Sequence, residues 1–235
     1  MYANFFKRVI DFTLSLIALL VLLVPMVILA IIGAIEMKGN PFFTQLRPGK
    51  INKKTGEEKI FKLIKFRTMT NEKDKDGNLL PDDVRLNGYG KLLRKTSLDE
   101  LPELLNILVG DMAIVGPRPQ LVRDMVFMSE EQRVRHSVRP GLTGLAQVSG
   151  RNNITWEEKF NFDLEYMQKI TFVGDMKIIF RTVAKVFKAE DVVREGTSSD
   201  IDFGDWLLQE GKVDKAEYDE KQKQAKDIIK AKNEK

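Results

Sequence analysis

Two adjacent acids, Asp99-Glu100, stand out in a sequence that lacks most of the usual nucleophiles and bases. Cysteine is absent and His136 is the only histidine. That excludes disulfides, thiolate chemistry, zinc or iron–sulfur clusters and any His–His acid/base pair. Carboxylates and fixed cations are among the groups left to do chemistry. Two neighbouring carboxylates repel each other and together favour a divalent cation. Oxygen ligands of this kind suit Mg²⁺, which keeps several waters and binds through one or two carboxylates plus substrate phosphates. Pro102 suits the first position of a helix. A helix over 102–109, ending at Gly110, puts Asp99 and Glu100 in the turn before a positive helix terminus. Ser97-x-x-Glu100 is equally a capping-box pattern, in which the acids only complement the dipole.

Several cations could serve a phosphorylated ligand. Lys65 and Arg67 share one face of an expected strand, because side chains alternate with period two; the alternative is a solvated basic strand face. Arg94 belongs to a short basic helix over 90–95, with Lys91 and Lys95. Arg118 lies between Pro117 and Pro119, which lock the backbone. A rigidly presented guanidinium suits bidentate phosphate recognition, although a stiff turn with a solvated Arg fits the same residues. The stretches Arg139-Pro140-Gly141-Leu142-Thr143-Gly144 and Ser149-Gly150-Arg151-Asn152-Asn153 are glycine-punctuated and bear arginines. Such loops can bring the backbone close to a phosphate. Neither is a P-loop or a dinucleotide fingerprint. His136 reads as a packed or solvated residue rather than a catalyst.

The elements that must position these groups start at a membrane. Residues 12–35 carry no charge and are dense in Leu, Ile and Val. A straight helix of that length is about 36 Å, enough for a hydrocarbon core of about 30 Å. It is too long for the apolar core of a signal peptide, and no small-residue cleavage site follows. Pro25 interrupts it. Basic residues flank both ends, Lys7 and Arg8 before and Lys38, Arg47, Lys50, Lys53 and Lys54 after, and positive charge stays on the cytoplasmic side. A re-entrant helix–break–helix and a single kinked span fit this segment equally. Next come a β-hairpin (42–47 with 59–68), a polar loop (71–83) and a helix over 156–168 whose Trp156, Phe160, Leu164 and Met167 read as core. A basic amphipathic helix follows over 175–188, suited to an anionic membrane surface. The fold class is α+β, mainly helical, in three parts: a membrane segment (1–38), a cytosolic catalytic domain (39–208) and a charged helical or disordered tail (209–235). The 235 residues are 31% charged and 43% hydrophobic, which excludes a mostly disordered chain and a polytopic membrane protein. A net charge of +4 is compatible with an anionic membrane face or phosphorylated ligands and too weak to argue nucleic acid.

Six motifs in order carry a resemblance: Lys65-Phe66-Arg67-Thr68-Met69, Ser97-Leu98-Asp99-Glu100-Leu101-Pro102, Gly110-Asp111-Met112, Gly116-Pro117-Arg118-Pro119, Arg139-Pro140-Gly141-Leu142-Thr143-Gly144 and Gln147-Val148-Ser149-Gly150-Arg151-Asn152. Behind an N-terminal membrane segment, they resemble the monotopic phosphoglycosyl transferases, also called bacterial sugar transferases. The resemblance runs over about 3–195 and corresponds to the minimal form of the family. It implies transfer of a sugar-1-phosphate from a UDP-sugar to polyprenol (undecaprenyl) phosphate, with release of UMP and a requirement for Mg²⁺. The setting implied is the cytoplasmic face of the bacterial inner (plasma) membrane, where the reaction initiates surface polysaccharide or glycoprotein glycans and feeds downstream glycosyltransferases. Asp99 is implied as a nucleophile forming a covalent phosphosugar intermediate, and Glu100 as support for the metal or for proton transfer. Lys65, Arg94, Arg118 and Arg151 match positions around the phosphates, and Asp175 an acidic position needed for activity. The family also implies the re-entrant topology. Three departures are visible: the connection 49–58 is longer and more basic, Phe172-Val173-Gly174 replaces a Trp often found before Asp175, and the segment Glu195–Leu208 does not follow the ending expected of the family. Other readings remain. One is a membrane-anchored, non-catalytic interaction domain; another is a single-pass protein with its domain outside the cell.

Overall fold

The computed structural model describes residues 2–150, 154–188 and 201–234. It is a mainly helical α+β structure. A π-helical turn (Tyr2–Phe6) leads into α1 (Lys7–Glu36), which is helical throughout and contains Pro25. At 1.5 Å per residue it is about 45 Å long. Its outer face is bare Val, Ile and Leu, with Leu20, Val21, Val24 and Ile35 among the exposed residues. The helix is apolar and long enough to cross a membrane.

The other side of α1 is not idle. Ala18, Leu19 and Leu22 pack on a core of Phe61, Leu63, Leu104, Ile107 and Met112. Asp11 Oδ1 accepts the Ile114 amide at 3.1 Å. Further along, Tyr89 Oη donates to the Leu29 carbonyl at 2.8 Å and Asn87 Nδ2 to Glu36 Oε2 at 3.1 Å. The globular domain therefore holds α1 near both ends.

β1 (Phe42–Ile51) and β2 (Glu58–Phe66) form the antiparallel hairpin, in the register Phe43 to Lys65 and Gln45 to Leu63. β1 runs further than the sequence suggests, through Pro48-Gly49, because a register irregularity between Pro48 and Ile51 accommodates the proline. The loop at 71–83 is closed by an isolated bridge between Lys73 and Leu79 and ends in α2 (Asp82–Arg85). α3 (Gly88–Thr96) follows, N-capped by Asn87, whose side chain accepts the Gly90 amide. A 3-10 turn (Leu98–Glu100) then leads to α4 (Glu103–Val109), with Pro102 at the N-cap rather than inside the helix.

The glycine-rich stretch at 139–144 departs from expectation. β3 (Ala113–Val115) pairs in parallel with β4 (Gly141–Thr143). A Cβ on Gly141 would lie 2.1 Å from the Gly116 amide nitrogen, and one on Gly144 2.2 Å from the Gly116 carbonyl oxygen. These glycines let two backbones touch in the core; they do not form a phosphate loop. α5 (Val122–Met125), α6 (Glu130–Arg133) and α7 (Leu145–Ser149) are short.

α8 (Trp156–Gln168) buries Trp156, Phe160, Asp163 and Tyr166, so the expected core stripe holds at its first two positions. α9 (Phe172–Lys188) turns Asp175 and Ile178 inward and leaves Phe172, Val173, Phe180 and Val183 exposed. With Val109, Leu105 and Leu92 these are apolar residues in search of a non-aqueous neighbour. The C-terminal region is not a free tail. α10 (Phe203–Gln209) and α11 (Lys215–Asn233) pack back on the domain, Ala225, Ile228 and Ile229 meeting Leu46, Val122 and Met125.

Candidate active site

One cleft of about 730 Å³ gathers Lys65, Arg94, Asp99, Glu100 and Arg118, five of the residues singled out from the sequence. The hairpin supplies a face of it. Phe43, Gln45 and Arg47 on β1, with Leu63 and Lys65 on β2 and Arg67 just beyond, all line the cleft, as period-two alternation requires. Ser97, in the left-handed region at φ 56°, turns the chain sharply from α3 into the 3-10 turn that presents the acids. This costs conformational energy for a non-glycine residue.

Glu100 is clamped. Its Oε1 accepts Lys65 Nζ at 2.8 Å and Arg118 Nη2 at 2.9 Å. Burial works against its charge, but Lys65 and Arg118 outweigh it and hold the carboxyl well below the ordinary glutamate range. The acid is thus ionised by two cations in contact rather than by a helix dipole. Lys65 also pairs with Glu103 at 3.0 Å. Glu103 is 3% exposed, and burial pushes its carboxyl up to about 7 despite the lysine. Asp99 differs from both. It makes no ion pair or hydrogen bond with the described residues, and burial raises its carboxyl while Lys65 pulls the other way. Arg94 donates from Nε to Thr68 Oγ1 at 3.1 Å and lies near enough to Asp99 to feel its charge. The result is one uncommitted carboxylate framed by three cations.

Asp175 is elsewhere. It is 2% exposed and outside the cleft lining. Its Oδ2 accepts Tyr2 Oη at 2.6 Å and Lys7 Nζ at 2.7 Å, and its Oδ1 accepts Tyr166 Oη at 2.9 Å. The structure makes it the anchor between α9 and the start of α1, so a substrate contact is not what its geometry provides. Arg151 lies outside the described residues. Arg139 donates to the Gly110 carbonyl at 2.8 Å and does not line the cleft. His136 is buried against Glu58 at 3.0 Å, a packed histidine as expected.

Sequence reasoning missed Arg47, Glu103 and Gln147. Arg47 donates to the Pro119 carbonyl at 3.0 Å and to Gln45 Oε1 at 2.7 Å, while its buried Nε has no partner. Burial, and then the neighbouring Arg118, lowers it to about 10. Applying the alternation used for Lys65 to β1 would have put Arg47 on the same face. Gln147 Oε1 is likewise buried in the cleft wall without a donor.

The family model for bacterial sugar transferases matches residues 2–189. The chain belongs to the bacterial sugar transferases, the phosphoglycosyl transferase family. Among its relatives is the uncharacterized sugar transferase EpsL of Bacillus subtilis, 47% identical over 188 residues, covering 79% of this chain and 89% of that protein. Another is the UDP-glucose:undecaprenyl-phosphate glucose-1-phosphate transferase of Klebsiella pneumoniae, 38% identical, covering 77% of this chain and 40% of that longer protein. A third is the exopolysaccharide production protein ExoY of Sinorhizobium fredii, 35% identical, covering 77% of this chain and 84% of that protein. In this bacterial sugar transferase the described residues contain no group of three or more His, Asp or Glu side chains placed to hold a metal ion. Any Mg²⁺ here must take one or two protein carboxylates and complete its shell elsewhere, its usual habit. Asp99 is free to do so, and Glu100 Oε2 takes no hydrogen bond from the described residues, so the donors fit.

Proposed function

We propose that this bacterial sugar transferase moves a sugar-1-phosphate from a UDP-sugar to undecaprenyl phosphate, through a phosphosugar ester on Asp99. The observation that carries it is the uncommitted Asp99 carboxylate set among Lys65, Arg94 and Arg118 in one cleft. Phosphoryl transfer needs positioning and charge neutralisation more than covalent help. In the first step an Asp99 oxygen bonds the β-phosphorus of the donor, the bond from that phosphorus to the bridging oxygen breaks, and UMP departs with the electron pair. In the second, an oxygen of the lipid phosphate bonds the same phosphorus and the Asp99 ester bond breaks, restoring the carboxylate. Lys65 and Arg118 hold Glu100 ionised and, with Arg94, face the phosphates; no histidine base is required. Mg²⁺, held by Asp99 and Glu100, would neutralise diphosphate charge. Of the two roles implied for Glu100, metal support suits a carboxyl held so firmly ionised.

The membrane assignment has its own support. α1 is apolar outside, and the exposed Phe172, Val173, Phe180 and Val183 of α9 add a second greasy surface. Both ends of α1 are tied to one domain, Lys7 to Asp175 and Glu36 to Asn87. That favours a helix that dips into the bilayer and bends back at Pro25 while staying helical, with the cleft on the cytoplasmic face, where donor and lipid phosphate meet.

The test is UMP release from UDP-sugars with undecaprenyl phosphate. Wild type releases UMP only with Mg²⁺, and mass spectrometry of a quenched, acceptor-free reaction finds a phosphosugar on the peptide containing Asp99. Full turnover by Asp99→Asn, or product without adduct, refutes the scheme.

A further inference from the structure

Residues 201–234 lie beyond the stretch that the family model matches, yet they build part of the cleft. Trp156 Nε1 donates to the Ile201 carbonyl at 3.1 Å, and the Phe203 amide to Asp124 Oδ1 at 2.9 Å. Phe203 is 2% exposed among Phe127, Trp156 and Phe160, with Trp206, Leu207 and Tyr218 behind it. α11 clamps the arrangement through Ala225. So fixed, Ile201 and Asp202 form a cleft wall together with Trp156, Lys159 and Asp163.

Asp202 behaves oddly for its position. It is the N-cap residue of α10, where an aspartate ordinarily accepts a backbone amide of the first turn, but its side chain makes no such bond. It turns instead to Arg123, which pairs with Oδ2, and leaves Oδ1 without a donor among the described residues. The cleft thus has two parts: cations around Asp99, and a wall at 156–163 and 201–202 in which Asp163 is already paired with Arg135 and Lys159 adds a cation, so that the carboxylate oxygen left open there is Asp202 Oδ1. A diphosphate suits the first part. An open carboxylate oxygen suits a ring bearing hydroxyls, whose O–H groups are donors for it.

We propose that Asp202, presented by the C-terminal α10–α11 unit, is a donor-selecting residue that accepts hydrogen bonds from ring hydroxyls of the nucleotide sugar. The inference rests on the transferase reading above. A UDP-sugar offers two such rings, the ribose and the transferred sugar, and the experiment separates them.

Steady-state UMP release is measured for the full chain with UDP-glucose, UDP-galactose and UDP-N-acetylglucosamine. Wild type is compared with Asp202→Ala, Asp202→Asn and Arg123→Ala. A hydrogen bond to a charged acceptor sets the scale. Asp202→Ala raises KM for the preferred donor about tenfold or more with kcat within about twofold, and Asp202→Asn recovers part of the loss. Arg123→Ala breaks the ion pair that orients Asp202 but leaves the accepting carboxylate in place, so KM rises clearly less than in Asp202→Ala. If the ribose is read, inhibition by UMP weakens in parallel; if the sugar is read, UMP inhibition holds and the ranking of donors changes. Unchanged KM for every donor in Asp202→Ala overturns the proposal, as does an equal effect of Arg123→Ala. Calorimetric binding of the same UDP-sugars to Asp99→Asn protein, with and without Asp202→Ala, makes the comparison without turnover. A wrong reaction and a wrong role for Asp202 are then told apart.

Discussion

Replacing Lys65 by methionine tests the electrostatics of the site most directly. The ammonium touches Glu100 at 2.8 Å and Glu103 at 3.0 Å, and its own side chain is 15% exposed. Without it, Glu100 keeps only Arg118, and Glu103 keeps no ion pair among the described residues. Breaking a buried pair by removing one partner costs about 3–5 kcal/mol, because a buried charge is left uncompensated. Part is recovered if Glu103 takes up a proton, since burial already pushes it up to about 7 with the lysine present. A chain of this size loses about 2–4 °C of Tm per kcal/mol, so Lys65→Met melts about 6–20 °C lower at pH 8 and less so at pH 6. Adding Glu103→Gln removes the stranded carboxylate and restores about 2 kcal/mol, the scale of coupling between residues in contact. Catalysis does not return. Loss of a preorganised cation facing the transferring group costs about 10²–10³ in kcat, and glutamine at 103 supplies none. Melting followed by Trp156 and Trp206 fluorescence, alongside UMP release, reads both quantities. A single mutant as stable as wild type, or a double mutant no more stable than the single, would refute the charge-balance reasoning.

Glu58 accepts a two-pronged Arg133 contact at 2.9 and 2.7 Å, and His136 at 3.0 Å. Burial opposes its charge, but these partners lower it from the ordinary value to about 2. Because the folded value lies below the unfolded one, this stabilisation is complete above about pH 4.5 and is lost as pH falls towards 2, on the order of 3 kcal/mol in all. Glu58→Gln therefore melts well below wild type at pH 7, and the gap narrows in melts taken below pH 4. Gly90→Ala sets a Cβ 1.9 Å from the Thr68 carbonyl oxygen, so it costs about 1–3 kcal/mol and raises donor KM by displacing Thr68 from Arg94; unchanged Tm and KM would contradict that packing. The chain has no cysteine, so Phe5→Cys and Lys38→Cys report topology cleanly. Both resist an impermeant maleimide in intact cells and react in inside-out vesicles, whereas labelling of either in intact cells rules out the re-entrant helix.

The face of the cleft was legible because its signals are local. Prolines beside Arg118, a turn before α4 and strand alternation at Lys65 each constrain a side chain within a few positions of itself. What escaped depended on distant partners. Asp175 reads as one more acid in a helix, and only folding brings it to Lys7, 168 positions away. The glycines at 141 and 144 look like loop glycines because the parallel strand they touch contributes just three residues, Ala113–Val115. Arg47 resembled flanking membrane charge because the expected strand ended on it, whereas β1 runs on to Ile51. The wall at 201–202 was hidden for another reason. Phe203, buried, and Trp206, half-buried, sit at the end of the expected catalytic domain, and α11, which clamps them with Ala225 buried, reads as a charged tail because charged positions dominate its pattern.

These long-range contacts also explain why a membrane helix belongs to this catalytic domain rather than merely tethering it. The last carbonyls of a helix have no partners inside it. In α4, Ile107 and Leu108 receive theirs from Arg8, at 2.6 and 2.8 Å. α4 is the element that follows Asp99-Glu100 directly and carries Glu103, and its Leu104 and Ile107 are packed under Ala18, Leu19 and Leu22 of α1. Asn106 extends the chain of contacts, accepting the Ile64 amide at 3.1 Å and donating to the Lys62 carbonyl at 2.8 Å, and so fixes the strand that bears Lys65. Lys65 then closes the circuit on Glu100. Every step is a direct contact, so the separation of Asp99 from its cations depends on how α1 sits. Lifting α1 away would expose apolar surface and take the Arg8 donor from the Leu108 carbonyl of α4, while the Ile107 carbonyl would keep only the Gly110 amide. Keeping α1 seated on α4 keeps the acids and cations in register.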